Sequence, residues 1–290
     1  MMKTLIIGDN HISDSSIEEI NTIYEKDIFT IKADRVIQLG DLFNKNRPTP
    51  KEIRFTTQLI HKLSTLYKEV ILLAGNGEHE FLNEVAIIEY LKEISGKIKI
   101  ETKDHFVLEN VYYGHHMINE SKLEYGTGKF GLKELKKYDY SILAHQHSFQ
   151  KFNSKVYHIG SIRYQNFNES SDKEKYIATI TDGKLEFIPL SSVIKMRDFY
   201  SLEELEKAEN GIKARLILSS FDQFKKSVNE IHKYKLKFFD FKIKLDFEKE
   251  VEPEISKKET SNKKLEEILE EGIEKVEDEE VRDLLKEALK

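Results

Sequence analysis

Within the first 150 residues, five short apolar runs each break off at an aspartate, asparagine or histidine. Residues 3–8 (KTLIIG) run into Asp9 and His11, 35–40 (RVIQLG) into Asp41, and 69–74 (EVILLA) into Asn76. Residues 111–114 (VYYG) lead to His115, and 140–144 (YSILA) to His145 and His147. Short apolar runs bounded by turn residues read as buried strands. The intervening stretches 16–26, 50–67 and 82–94 carry apolar residues at helical spacing, as with Ile87, Leu91 and Ile94. Strands alternating with helices predict a layered α/β fold on a largely parallel sheet, with loops converging at the carboxyl ends of the strands. A single Asp after a strand is ordinarily a turn residue. Five such positions in succession, all Asp, Asn or His, point instead to one shared polar site.

Downstream, 155–159, 175–181 and 184–190 read as strands without helices, the last two joined by an Asp182-Gly183 turn. The first domain therefore spans 1–192. A small α+β domain is expected over 193–247, with strands at 193–199, 213–219 and 237–247 and helices at 202–209 and 221–232. A charged linker with Pro253 covers 248–261. The segment 262–290 places Leu265, Ile268, Leu269, Ile273 and Val276 on one helical face, and Val281, Leu284, Leu285, Ala288 and Leu289 on another.

The chain has no cysteine, which excludes disulfides, thiol nucleophiles and cysteine-held zinc and suits a reducing compartment. It shows no apolar stretch near the ~20 residues a membrane span requires. It reads as a soluble cytoplasmic protein with no membrane partner. The net charge of −6 is unevenly placed, because residues 248–290 hold 16 acidic and 9 basic residues. The remainder is close to neutral, and seven lysines between Lys225 and Lys244 face only Glu230 and Asp240 in sequence. Local patterning governs binding to a polyanion more than the total does, so nucleic acid remains an admissible substrate.

Oxygen and imidazole donors without thiolates suit manganese, iron or zinc. Two such ions ~3.5–4 Å apart need a bridging carboxylate, can clamp a phosphoryl group and lower the pKa of a bound water.

The blocks Asp9-x-His11, Gly40-Asp41, Gly75-Asn76, Gly114-His115 and His145-x-His147 together resemble the signature of calcineurin-like metallophosphoesterases. The resemblance implies a layered α-β-β-α sandwich followed by a small α+β capping domain and C-terminal helices. It implies that Asp9, His11, Asp41 and His147 hold one divalent ion. Asp41 would bridge, while Asn76, His115 and His145 hold a second. Gly40-Asp41-Leu42-Phe43, Gly160-Ser161-Ile162-Arg163, Asn166-Phe167-x-Glu169 and Asp172-Lys173-x-Lys175 resemble the SbcD, Mre-eleven type of nuclease subunit. In that group the C-terminal helices grip an SbcC-type coiled-coil ABC ATPase, which assigns that role to 262–290, and a homodimer is expected.

Two positions depart from the family pattern. Gly-Asn-His is usual where this chain reads Gly75-Asn76-Gly77-Glu78-His79, and a second family histidine is Asn44 here. Aligned without a gap, position 77 lacks the proton donor. His79 and Asn44 are then the catalytic candidates. His61, His105 and His232 read as surface or packing residues, His116 as structural, and His158 as a lesser candidate near the site.

The expected function is a manganese-dependent DNA phosphodiesterase, an exo- or endonuclease subunit of a double-strand-break repair complex with an ATPase partner. The alternatives are a stand-alone phosphodiesterase or phosphatase for small molecules, or a catalytically weakened scaffold subunit.

Overall fold

The computed structural model describes residues 2–121, 130–227 and 230–246, and residues 270, 273, 274, 279, 282, 283, 285 and 286 beyond them. The chain divides into two compact units, Met1–Val193 and Ile194–Lys290.

In the first unit β1 (Thr4–Ile7), α1 (Ile17–Ile23), β2 (Arg35–Gln38), α2 (Pro50–Leu66) and β3 (Glu69–Leu73) come first. A one-turn helix α3 (Gly77–Glu80), a hairpin of β4 (Phe81–Leu82) and β5 (Val85–Ala86), and β6 (Ile98–Glu101) follow. Then come β7 (His105–Leu108), β8 (Val111–His115), α4 (Leu132–Leu135), β9 (Tyr140–Ala144), β10 (Gln150–Lys151) and β11 (Val156–His158). The hairpin β12 (Tyr176–Thr181) and β13 (Lys184–Pro189) closes the unit. Asp182 and Gly183, at φ 53° and 72°, make its turn; left-handed backbone at both central positions follows the twist of a hairpin.

Two sheets result, ordered β13-β12-β1-β2-β3-β6 and β10-β11-β9-β8-β7. In the first, β1, β2, β3 and β6 are parallel and the β12–β13 hairpin joins antiparallel. In the second, β9 runs parallel to β8 and β11 between antiparallel edges. Side-chain alternation explains the layering. On β1–β3, Leu5, Ile7, Val36, Val70 and Leu72 pack with Ile20, Ile23, Leu59, Ile60 and Leu63 of α1 and α2. The alternate residues Ile6, Ile37, Ile71 and Leu73 meet Val111, Tyr113, Ile142 and Ala144 of the second sheet. The far face of that sheet, Tyr112, Leu143 and Val156, packs with Leu135 of α4. Every central strand is covered on both faces, which is why its sequence is continuously apolar rather than alternating. The architecture is the α-β-β-α sandwich.

Helix α2 starts where its sequence says it should. Thr49 caps it, Glu52 completes a capping box and Pro50 occupies the first turn. The expected helix over 82–94 is instead a hairpin followed by a 3₁₀ helix, Ile87–Ile94. Asn83 and Glu84 adopt φ of 50° and 67°, left-handed backbone that an α-helix cannot contain. The buried residues of the tighter helix are Ile88 and Leu91, three apart as its period requires, while Ile87 and Ile94 are only partly buried against the core.

The second unit holds a three-stranded parallel sheet of β14 (Met196–Phe199), β15 (Lys213–Leu218) and β16 (Asp240–Leu245), with α5 (Leu202–Lys207) and α6 (Phe221–Ser227). Its core includes Leu205, Leu216, Phe224, Ile231 and Phe241, together with Ile273 and Leu285. The expected linker 248–261 lies outside the described residues, as do Leu265, Leu269 and Leu284. Leu285 was expected to await a partner, but it is fully buried in its own unit. An apolar side chain of this size stays wet only if no nearer apolar surface can take it. No helix among the described residues is long and apolar enough to cross a membrane.

Candidate metal centre

The parallel strands β1, β2 and β3 of the first sheet and β8 and β9 of the second end at the same side of the sandwich. Their loops bring Asp9, His11, Asp41, Asn76, His115, His145 and His147 together. The loops are stitched to one another by main-chain bonds: His11 N–H donates to Asp41 O at 2.9 Å, and Ile162 N–H to Asp9 O at 3.0 Å. His11, Asp41 and His145 adopt φ of 49°, 47° and 84°. Non-glycine residues held in left-handed backbone cluster where a surrounding structure fixes functional groups. Gly75 lies so close to Asp41 that a Cβ there would sit 2.0 Å from Asp41 Oδ1, so only glycine lets the second and third loops meet.

Asp9 and Asp41 are buried, at 0% and 1% exposure. Asp41 Oδ2 lies 3.3 Å from His115 Nε2, 3.7 Å from His11 Nε2 and 3.8 Å from His79 Nε2. Asp9 lies 3.5 Å from His115 Nδ1 and 3.9 Å from His147 Nε2, and accepts the His145 N–H at 3.1 Å. Ring nitrogens also face each other, His11 Nε2 with His147 Nε2 at 3.0 Å and His145 Nδ1 with His115 Nε2 at 3.2 Å. Three triplets have donor atoms within 4.8 Å of one another: Asp9, His11 and His147; His11, Asp41 and His79; and Asp41, His115 and His145.

The electrostatics reflect a crowded, dry site. Burial pushes the Asp9 carboxyl up to about 7, with Asp41 adding to the rise. Burial would also raise Asp41, but His115 overrides it and holds this carboxyl well below the usual range. Burial opposes protonation of His115, yet Asp41 and Asp9 outweigh it and raise the imidazole to about 10. Burial and the neighbouring His115 push His145 down to about 4. No lysine or arginine pairs with Asp9 or Asp41 among the described residues. Two buried carboxylates ringed by imidazoles, without a fixed cationic side chain, form an oxygen- and nitrogen-rich cage that fits divalent cations.

Asn76 is placed beside the cage, donating Nδ2–H to Asp41 Oδ2 at 3.3 Å. Its Oδ1 instead caps α3, accepting from Glu78 N–H at 2.9 Å and His79 N–H at 3.2 Å. The expected donor atom is therefore turned to the helix, because an Asn at an N-cap satisfies otherwise orphaned amides.

A Cβ at Gly77 meets nothing within 4 Å and points to open space, whereas His79 Nε2 lies 3.8 Å from Asp41 Oδ2. The buried Glu80 that follows accepts main-chain N–H groups of Leu42, Phe43 and Gly75, tying the Asp41 and Asn76 loops together. The exposed side chain of Asn44 takes no part in this. Its main-chain oxygen accepts from His79 Nδ1 at 2.7 Å. His116 and His158 are buried and engaged elsewhere, with Tyr112 at 2.8 Å and Ser121 at 3.0 Å respectively.

Sandwich, loop cluster and donor set define a metal-dependent phosphoesterase. The family model described as calcineurin-like phosphoesterase (Metallophos) matches residues 2–172, and the chain belongs to that family. The chain is 25% identical over 298 residues to the DNA double-strand break repair protein Mre11 of Methanocaldococcus jannaschii, covering 83% of this chain and 76% of that protein. A solved phosphoesterase from E. coli, Yfce, aligns at 16% identity over 66% of this chain and 94% of its own, with a TM-score of 0.35.

Proposed function

We propose that the protein is a manganese-dependent DNA phosphodiesterase, the nuclease subunit of a double-strand-break repair complex with a coiled-coil ATPase. The observation that carries the phosphodiester chemistry is Asp41, whose carboxylate is shared by two of the His/Asp triplets. The DNA substrate is supported by the similarity to Mre11, a protein named for double-strand break repair.

In this reading Asp9, His11, His147 and Asp41 hold one cation, and Asp41, His115 and His145 hold the other. Asn76 completes the second set if its amide turns from the cap. Bound there, the ions supply Lewis acidity and an activated water for in-line attack on phosphorus. The chain's own part is placement and proton transfer. Asp41 sets the separation of the two halves. His115 donates Nδ1–H to Leu39 O at 2.7 Å, so its Nε2 faces the cage. His79 likewise donates Nδ1–H to Asn44 O, which leaves Nε2 free to carry a proton to the departing 3′-oxygen. A proton donor at His79 favours this reading over the weakened-scaffold alternative.

The test is cleavage of double-stranded and hairpin DNA with manganese, compared with generic phosphatase substrates, with and without a coiled-coil ATPase. Faster turnover of a small phosphomonoester than of any DNA end would overturn the nuclease assignment.

A further inference from the structure

The segment 166–175 carries two motifs for which the proposed reaction has no use, and each sends one buried charged residue toward the metal-centre loops. Glu169 ends a 3₁₀ turn, Phe167–Glu169, and Lys175 lies just before β12. They are only 3% and 2% exposed. Lys175 Nζ donates to Glu169 Oε2, to Asp172 Oδ2 at 2.9 Å and to the main-chain oxygen of His147 at 3.1 Å. Glu169 Oε1 accepts the N–H groups of Gln165 and Asn166 at 3.0 and 3.1 Å, and lies 3.4 Å from His147 Nδ1. The Ser161 N–H closes the arrangement on the same His147 carbonyl at 2.9 Å.

A buried ion pair seldom repays its desolvation through stability alone. Here both partners converge on one histidine, the carboxylate at the ring and the ammonium at the carbonyl. We propose that Glu169, held in place by Lys175, is a positioning residue for His147. It accepts Nδ1–H and so directs the Nε2 lone pair toward Asp9 and His11. The proposal rests on the metal-centre reading above, in which His147 is a ligand. Carboxylates that receive the outer N–H of a ligating histidine fix its tautomer and raise its basicity, and their loss typically costs 10- to 100-fold in metal affinity.

The experiment is calorimetric titration of the full-length metal-free protein with manganese, for the unaltered chain and for Glu169→Gln. The unaltered protein is expected to bind two ions. In Glu169→Gln one should bind as before and the other roughly 10- to 100-fold more weakly, and kcat on a phosphodiester should fall more than KM rises. Two ions bound with unchanged affinity by folded Glu169→Gln would overturn this proposal alone, and so would equal weakening of both. No manganese bound by the unaltered protein would overturn the metal-centre reading, and this proposal with it. Because Glu169→Gln could fail to fold, the tautomer is also read in the unaltered metal-free protein by nitrogen-15 NMR of the histidine rings, assigned by loss of the His147 signals in His147→Gln. A neutral His147 protonated at Nδ1 is expected, and one protonated at Nε2 overturns the proposal without any change at position 169.

Discussion

His79 donates its Nδ1–H to the main-chain oxygen of Asn44 across 2.7 Å, which leaves its Nε2 turned to Asp41, 3.8 Å away. A carbonyl can only accept, so the ring tautomer is decided by the protein and not by solvent. Asn44 and His79 are brought together because Glu80, the next residue, is clamped to the main chain at Leu42 and Phe43. His79→Ala should lower kcat on DNA by about 10²- to 10⁴-fold, the range for a lost general acid, with manganese affinity little changed. Gly77→His should add nothing, since its side chain would leave toward open space. Full activity of His79→Ala in steady-state kinetics would refute this role.

Asp41 stands in both the His11 and the His115 triplets. Asp41→Asn should abolish turnover and reduce the bound manganese from two ions to at most one, measured by metal analysis after gel filtration. Two tightly held ions in that variant would end the bridging assignment.

Cation binding at the centre should grow tighter with rising pH. Asp9, pushed up to about 7, His115, raised to about 10, and His147, which burial would lower but Glu169 and Asp9 raise, all hold protons in acid that a cation must displace. Proton release on binding should therefore be largest in acid and shrink as the pH rises, His115 being the last of the three to lose its proton. Affinity should rise up to about tenfold per pH unit for each proton displaced. Calorimetry in buffers of different ionisation enthalpy counts the protons directly; an affinity flat from pH 6 to 9 contradicts the arrangement.

Glu80→Ala should destabilise the first unit by roughly 3 kcal/mol, because the main-chain N–H groups of Leu42, Phe43 and Gly75 lose their carboxyl acceptor in a buried setting. The same variant should lose activity, since the loops of Asp41 and Asn76 are no longer joined. Denaturant unfolding reads the first effect, and an unchanged midpoint would show that the clamp is dispensable.

Leu285→Ala should cost about 2–5 kcal/mol in the second unit, for Leu285 is fully buried with Leu205, Leu216 and Phe224. The first unit should melt unchanged. If instead the second unit is unaffected while ATPase binding is lost, Leu285 belongs to a partner interface after all.

Much of the fold was legible because its period is strong. The runs at Leu5–Ile7, Val36–Ile37 and Val70–Leu73 are apolar throughout, which only a strand buried on both faces requires. Thr49, Pro50 and Glu52 announced the start of α2 in the same way. The short strands β6 and β7 were missed: Ile98–Glu101 mixes apolar and charged residues, His105–Leu108 is only four residues long, and their pairing with β3 and β8 is made across the sheet. The false helix over 82–94 arose because the apolar residues of Ile87–Ile94 also fit α-helical spacing, whereas the 3₁₀ form buries Ile88 and Leu91, and because the turn at Asn83-Glu84 has no glycine to mark it.

For the site, the sequence by itself determined which side chains are available, since Asp9, His11, Asp41, Asn76, His115, His145 and His147 each follow a strand whose direction puts its carboxyl end in one place. Which atom of each residue faces the centre depends on how the loops pack in three dimensions. Spacing along the chain could not show that Asn76 Oδ1 caps α3 or that His79 Nε2 comes within 3.8 Å of Asp41. Nor could it show that Glu169 and Lys175 reach back along the chain to His147, Lys175 across 28 residues. Those outcomes are set by hydrogen bonds between loops distant in sequence. A buried donor or acceptor left unpaired costs more than the local backbone preference of the loop that carries it.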